Sequence, residues 1–430
     1  MASFKPVEAV SVEIWGHKVG AVAFNPESRF YAFEYEPRFL RSGIELAPLQ
    51  MPLALGSEPF EFLSLPTETY HRLPAMIADA LPDKFGNALI NAWMADRGMN
   101  INNITALDRL AYMGQRSMGA LTFRPNRGPS KTQPSALQMS ALVTQARSAI
   151  SGDFDNSDHT SDVLRQIIQV GTSAGGARAK ATIAWNPQTQ EVRTGQFDIP
   201  DGFQAWLLKF DGMGADAQLG LGRHYGRIEY AYSLMAKAAG LDMTECRLLE
   251  EEGRAHFMTR RFDRSGNERH HMQTLCAMAH LDFNQIGTHS YHQLFQTAQM
   301  LELDRASMQE ILRRMIFNVL AANHDDHTKN FSFLLRRGHA WELAPAYDIT
   351  FAFNPENKWL KQHLMSVNGK FEGITELDFR EVADRYKLLG VCKDTIADIR
   401  AAVARWPQFA NEAGVPPALA EEIAQSLTGR

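Results

Sequence analysis

Cysteine is scarce: the 430 residues hold three, Cys246, Cys276 and Cys392, widely separated and without a CxxC pair. That usage excludes a disulfide scaffold and a cysteine-rich zinc module, and it fits a reducing cytoplasm. Long apolar runs are missing too. No stretch reaches the ~20 residues of a membrane-spanning helix, and the opening MASFKPVEAVSVEIW lacks the apolar core of a secretion signal. A cytoplasmic protein without membrane association is therefore expected. Nor is one sign of charge in excess: 44 Lys and Arg stand against 49 Asp and Glu, which removes any global electrostatic reason to hold nucleic acid tightly. Internal repeats, sustained heptads and low-complexity tails are also absent.

Core-forming residues are plentiful, at 45% hydrophobic, enough at this length for two or three domains. Val10, Val12 and Ile14 alternate as in a strand, and Gly16 suits the turn that follows. In LPDKFGNALINAWMA, Phe85, Leu89, Ile90 and Trp93 share one face of a helix starting near Pro82 or Asp83. The proline-rich RPNRGPSKTQP separates an amino-terminal subdomain, residues 1–125, from a second region over 135–265. There ATIAW and FQAWLLKFD read as strands, and RIEYAYSLMAKAAGLD reads as a helix ended by Gly240. Residues 266–430 read as mainly helical. Met308, Ile311, Leu312, Met315, Val319 and Leu320 form an apolar stripe that runs into HDDHTKN, and FSFLLRRGHAWEL is a hairpin able to return Asp348 toward Asp325.

Asp325, Lys329 and Asn330, with Asp348 beyond the hairpin, suit phosphoryl transfer. A carboxylate can orient or deprotonate an attacking hydroxyl, Asn and Asp oxygens can ligate Mg2+, and a lysine offsets phosphate charge. Taken singly, Asp325 and Asn330 read equally as helix caps or loop-amide acceptors. Gly171, Gly175 and Gly176 around Ser173 permit close backbone approach to a phosphate, although the segment is not a GxxxxGK[ST] P-loop. Lys180 and Lys209 are phosphate-contact candidates, Lys209 the better held by its apolar flanks, and Glu229 is placed to orient it from a helix.

Together GTSAGGARAK, WLLKFD, RIEYAYSLMAKAAGLD, RRFDR, HDDHTKNFSF and LAPAYDI resemble the HipA family of toxin serine/threonine kinases, and VEIWGHKVGAV, LPDKFGNALI and YMGQRSMGALTF extend the resemblance over almost the whole chain. The resemblance implies an α+β, bilobed, atypical protein-kinase-like fold with an additional amino-terminal β-containing subdomain. On it, residues 135–265 form the nucleotide-binding amino lobe and residues 266–430 the catalytic carboxyl lobe. It further implies ATP and Mg2+ as cofactors, Asp325 as catalytic aspartate, and Asn330 and Asp348 as metal ligands. Lys209, Glu229, His327 and Lys329 fall at the nucleotide, with Lys180 as a further phosphate contact. Ser173 matches the regulatory autophosphorylation serine. Expected partners are a HipB-like helix-turn-helix antitoxin, operator DNA reached mainly through it, and a protein substrate such as an aminoacyl-tRNA synthetase, as in a type II toxin–antitoxin system. Asp326 departs from the family's frequent small residue, and its charge is expected to alter loop geometry or metal affinity.

Two other readings stand beside this one. Gly171-Thr172-Ser173-Ala174-Gly175 matches the G-x-S-x-G of a serine hydrolase, which needs a strand before the serine and a helix after it. A kinase-like scaffold without turnover is the other.

Overall fold

The alternation at Val10, Val12 and Ile14 becomes the strand Ala9–Ile14, with all three side chains fully buried. It pairs antiparallel with His17–Asn25 on one side and with Thr122–Arg124 on the other, and Phe30–Tyr35 completes the four-stranded sheet beside His17–Asn25. The first turn passes through Trp15 and Gly16, both at positive φ, where glycine adopts the left-handed backbone without strain. The structure is a computed structural model that describes residues 5–82, 84–95, 97–129, 178–212 and 224–428, together with Val143 and Ala146.

The helix Lys84–Ala95 buries Phe85, Leu89, Ile90 and Trp93, the face its spacing predicts. A second helix, Ala106–Met113, opens on a capping box between Thr105 and Asp108. Asp108 also accepts a bond of 3.0 Å from the Val7 amide, which ties the lead-in of the first strand to that helix.

The chain divides into two compact units, the first comprising Met1–Ala215, Asp263–Gln273 and Leu335–His339, the second Asp216–Phe262, Thr274–Leu334 and Ala340–Arg430. Within the first, Lys180–Trp185 pairs antiparallel with both Val192–Thr194 and Gln204–Lys209. All six of its residues are buried, as a strand flanked on both edges requires. The short hairpin of Arg264–Ser265 and Glu268–Arg269 also belongs to this unit. Asp263 accepts the Gly119 amide at 2.8 Å, and the Arg269 guanidinium donates to the carbonyls of Gln115, Ser117, Gly119 and Leu121.

The second unit holds the strand pair Cys246–Glu251 and Arg254–Arg260 and the helix Tyr225–Ala238. A Cβ on Gly226 of that helix would lie 1.9 Å from the Ala255 carbonyl oxygen, so only glycine permits this approach of helix to strand. The long helix Arg305–Leu320 departs from the single stripe its sequence predicts. Arg314, Ile316, Phe317 and Asn318 are buried as well, because the helix is packed on most of its circumference. Arg314 is accommodated by Glu310 at 2.7 Å and the Ala344 carbonyl at 2.8 Å. Tyr232 donates its hydroxyl to the Ala321 carbonyl at 2.8 Å, anchoring the earlier helix to the end of this one. Among the described residues no helix is long and apolar enough to cross a membrane.

Candidate active site

Past Leu320 the helix stops at Ala322, whose positive φ turns the chain into HDDHTKN. The segment after Asp348 runs alongside this exit: the Ala352 amide donates to the Ala322 carbonyl and the His324 amide to the Ala352 carbonyl, each at 3.1 Å. The hairpin return inferred from the sequence is therefore present. The Ala344 amide donates to the Ser332 carbonyl at 2.9 Å. Tyr347 then donates its hydroxyl to the Lys329 carbonyl at 2.6 Å and accepts from Ser332 at 2.5 Å. Asp348 itself has a φ of 53°, a left-handed backbone that an aspartate tolerates better than most residues.

The acid loop is closed from within. Asn330 donates its side-chain N–H to the Asp325 carbonyl at 2.7 Å, which commits its donor end and leaves the amide oxygen as an acceptor. His327 caps the short turn Thr328–Asn330 by accepting the Lys329 amide. The Lys329 ammonium lies 4.5 Å over the Phe283 ring, and the ring pairs Phe283 with His327 and His327 with Trp359 are 5.4 and 6.0 Å apart. At the centre, Asp325 accepts the Trp359 indole N–H on Oδ1 at 2.7 Å, with His327 Nε2 3.7 Å from the same oxygen. The carboxylate itself keeps 37% of its surface open, yet the protein mass around it withdraws enough water to raise its pKa above the ordinary value. His327 and the Trp359 bond oppose that rise, and the nearby carboxylates of Asp348 and Asp326 add to it.

Asp326 answers differently from what its place in the sequence suggests. It is buried, accepting the Tyr291 hydroxyl at 2.8 Å and His363 Nδ1–H at 3.0 Å on one oxygen and the Leu364 amide at 2.8 Å on the other. Burial and the adjacent carboxylate push the Tyr291 phenol far up, so it stays a donor. Asn318 bonds the same phenol at 2.9 Å and Asn323 bonds Asn318 at 2.9 Å, completing an internal polar network. Its carboxylate is held by this network, which anchors the loop, and it is the last of the influences on Asp325.

The structure thus brings Asp325, His327, Lys329, Asn330 and Asp348 together in the second unit. In the first unit Lys180 and Lys209 are direct cross-strand partners, both buried, with their side chains on one face of the sheet. Glu229 is buried on the helix Tyr225–Ala238 of the second unit. Ser173 and the glycines Gly171, Gly175 and Gly176 lie outside the described residues. Sequence reasoning missed Trp359, His363, Tyr291 and Phe283. The one signal available for Trp359 was a large aromatic standing in the polar run NPENKWLKQ.

The donors fit Mg2+: the Asp348 carboxylate and the Asn330 amide oxygen are hard ligands, and the repulsion between Asp325 and Asp348 is what a nearby cation offsets. Among the described residues no three His, Cys, Asp or Glu side chains form a metal cluster. Few protein ligands are usual where phosphates share the ion.

The family model of the HipA-like C-terminal domain matches residues 172–429, more than half of the chain, and that of the HipA N-terminal domain matches residues 10–124. The chain belongs to the HipA family. Its likeness to the solved HipA of Shewanella oneidensis, described with HipB and operator DNA, covers 97% of this chain and 95% of that one at a TM-score of 0.68 and 18% identity. At that identity the likeness speaks for the fold: α+β and kinase-like, with a β-rich amino-terminal subdomain as in other HipA proteins. A curated Haemophilus influenzae protein, named as a candidate kinase, is 33% identical over 135 residues, 28% of this chain and 39% of its own length. The candidate kinase Y4dM of Sinorhizobium fredii is 26% identical over 137 residues, 28% of this chain and 32% of its own. Both matches thus span less than half the length of the relative.

Proposed function

We propose that this HipA-family chain is an ATP-dependent serine/threonine-protein kinase toxin of a type II toxin–antitoxin system. The observation that carries the reading is the convergence of Asp325, Asn330 and Asp348 on one loop and its returning hairpin. Bound Mg2+–ATP supplies the γ-phosphoryl group and neutralises its developing charge. The chain's own residues do the rest. Asp325 orients the acceptor hydroxyl and takes its proton as the new oxygen–phosphorus bond forms and the bond from the γ-phosphorus to the leaving ADP breaks. Asn330 and Asp348 present oxygens to the metal, and His327 and Lys329 line the same loop. Lys209, with Lys180 beside it, meets phosphate charge, and Glu229 carries the organising role that the family gives it. Residues 135–265 serve as the nucleotide-binding lobe and 266–430 as the catalytic one, after the HipA-like subdomain 1–125. Phosphorylation of Ser173 inactivates the protein. A HipB-like antitoxin is the partner, bringing the chain to operator DNA, and the substrate is a protein, with an aminoacyl-tRNA synthetase the class to examine first.

The test is transfer from γ-labelled ATP in bacterial lysate with Mg2+, followed by phosphosite mapping. Wild type labels a protein and Ser173, and Asp325→Ala loses roughly 10²–10⁴-fold in rate. Equal labelling by Asp325→Ala rejects the assignment.

A further inference from the structure

The stretch from Asn357 to Leu364 acts as a strap across the acid loop. Asn357 Oδ1 accepts the amides of Trp359 at 2.8 Å and Leu360 at 3.3 Å, making a local turn that fixes where the tryptophan points. His324 donates Nδ1–H to the Leu360 carbonyl at 3.1 Å. Farther along, His363 and the Leu364 amide hold Asp326. Between these anchors the Trp359 indole donates to Asp325 Oδ1, while its ring stands edge-on to Phe283 at 6.4 Å and to His327 at 6.0 Å. One short segment therefore restrains both members of the Asp325–Asp326 pair.

Resting on the kinase reading above, we infer that Trp359 is a positioning residue: its N–H commits Oδ1 of Asp325 and so presents Oδ2 to the acceptor hydroxyl. A terminal carboxylate turns easily about its last torsion, which has a broad, roughly two-fold profile. An acid–base group is effective only when its lone pair is aimed at the proton it takes. Trp359 is half-buried, and the protein spends its N–H on the carboxylate, where the turn at Asn357 and the two flanking rings keep it. Because the bond reaches one oxygen alone, it hinders rotation and fixes the direction in which the other oxygen points.

The experiment compares wild type, Trp359→Phe and Trp359→His in the labelled-ATP assay, with kcat and the KM for ATP measured separately. Phe keeps an aromatic ring and loses the donor; His keeps a ring with an N–H. The expected result is a kcat roughly 10–100-fold lower for Trp359→Phe, an ATP KM within about two-fold of wild type, and recovery of several-fold by Trp359→His. Wild-type kcat in a folded Trp359→Phe protein overturns the inference and leaves the kinase reading standing. A rise in ATP KM with kcat unchanged overturns it too, since the residue then serves nucleotide binding. If Trp359→Phe does not fold, Trp359→His decides: folded and active supports the role, folded and inactive rejects it. A wild-type protein that transfers no phosphate ends the kinase reading and this inference with it.

Discussion

The open and buried faces of the 324–330 loop carry adjacent carboxylates with opposite surroundings. Asp325 faces outward with a single side-chain donor on Oδ1, whereas Asp326 is enclosed and accepts three bonds. The same side chain one residue apart thus serves two ends, reactivity where one oxygen stays open and rigidity where both oxygens are bonded. Identity at a position says little about role; the donors around it say most.

The contrast breaks first at Asp326. Asp326→Ala strands the Tyr291 hydroxyl, His363 and the Leu364 amide inside the protein. A loss of about 3–5 kcal/mol in stability is expected, read from urea unfolding, and transfer falls with it because the loop loosens. Asp325→Asn is the control that sharpens the comparison: it stays within ~1 kcal/mol of wild-type stability. Equal destabilisation by the two would erase the distinction between the faces.

A buried titratable group treated in a third way lies in the first unit. His271 is fully enclosed with its ring nitrogen toward the Leu46 carbonyl, and burial lowers its pKa to about 4. The unfolded chain, with an ordinary histidine near ~6.5, binds the extra proton first as the solution is acidified. Its contribution is therefore complete above pH ~6.5 and is lost as the pH falls toward about 4, on the order of 3 kcal/mol at most. Unfolding midpoints measured across that window should slope downward with acid, and His271→Gln should flatten the slope. A smaller effect than that of Asp326→Ala is expected from Tyr291→Phe, which removes one donor to Asp326 and leaves the other two in place. About 1–2 kcal/mol is anticipated from the same urea series. A neutral result would mean that His363 and Leu364 suffice.

What the sequence revealed was what local periodicity encodes. The alternation of Val10, Val12 and Ile14 and the spacing of Phe85, Leu89, Ile90 and Trp93 translate directly into a strand and a helix, because each residue's exposure depends on its own element. The hairpin that returns Asp348 was legible for the same reason. Thr122–Arg124 pairing back onto Ala9–Ile14 was not, since a register between segments so distant leaves no trace in either. The inward turn of Asp326 depends on Tyr291 and His363, and Trp359 meets Asp325 across 34 positions. Side-chain direction in a loop is set by such remote partners, which a linear pattern does not contain.

The way the chain is shared between its two units has a consequence for synthesis. The backbone passes from one to the other five times, at 215/216, 262/263, 273/274, 334/335 and 339/340. Emerging from the ribosome, the amino-terminal unit therefore waits for residues 263–273, whose Arg269 bonds four of its carbonyls, and then for 335–339. By the time the last residue of the first unit has been made, about half of the second has already been translated.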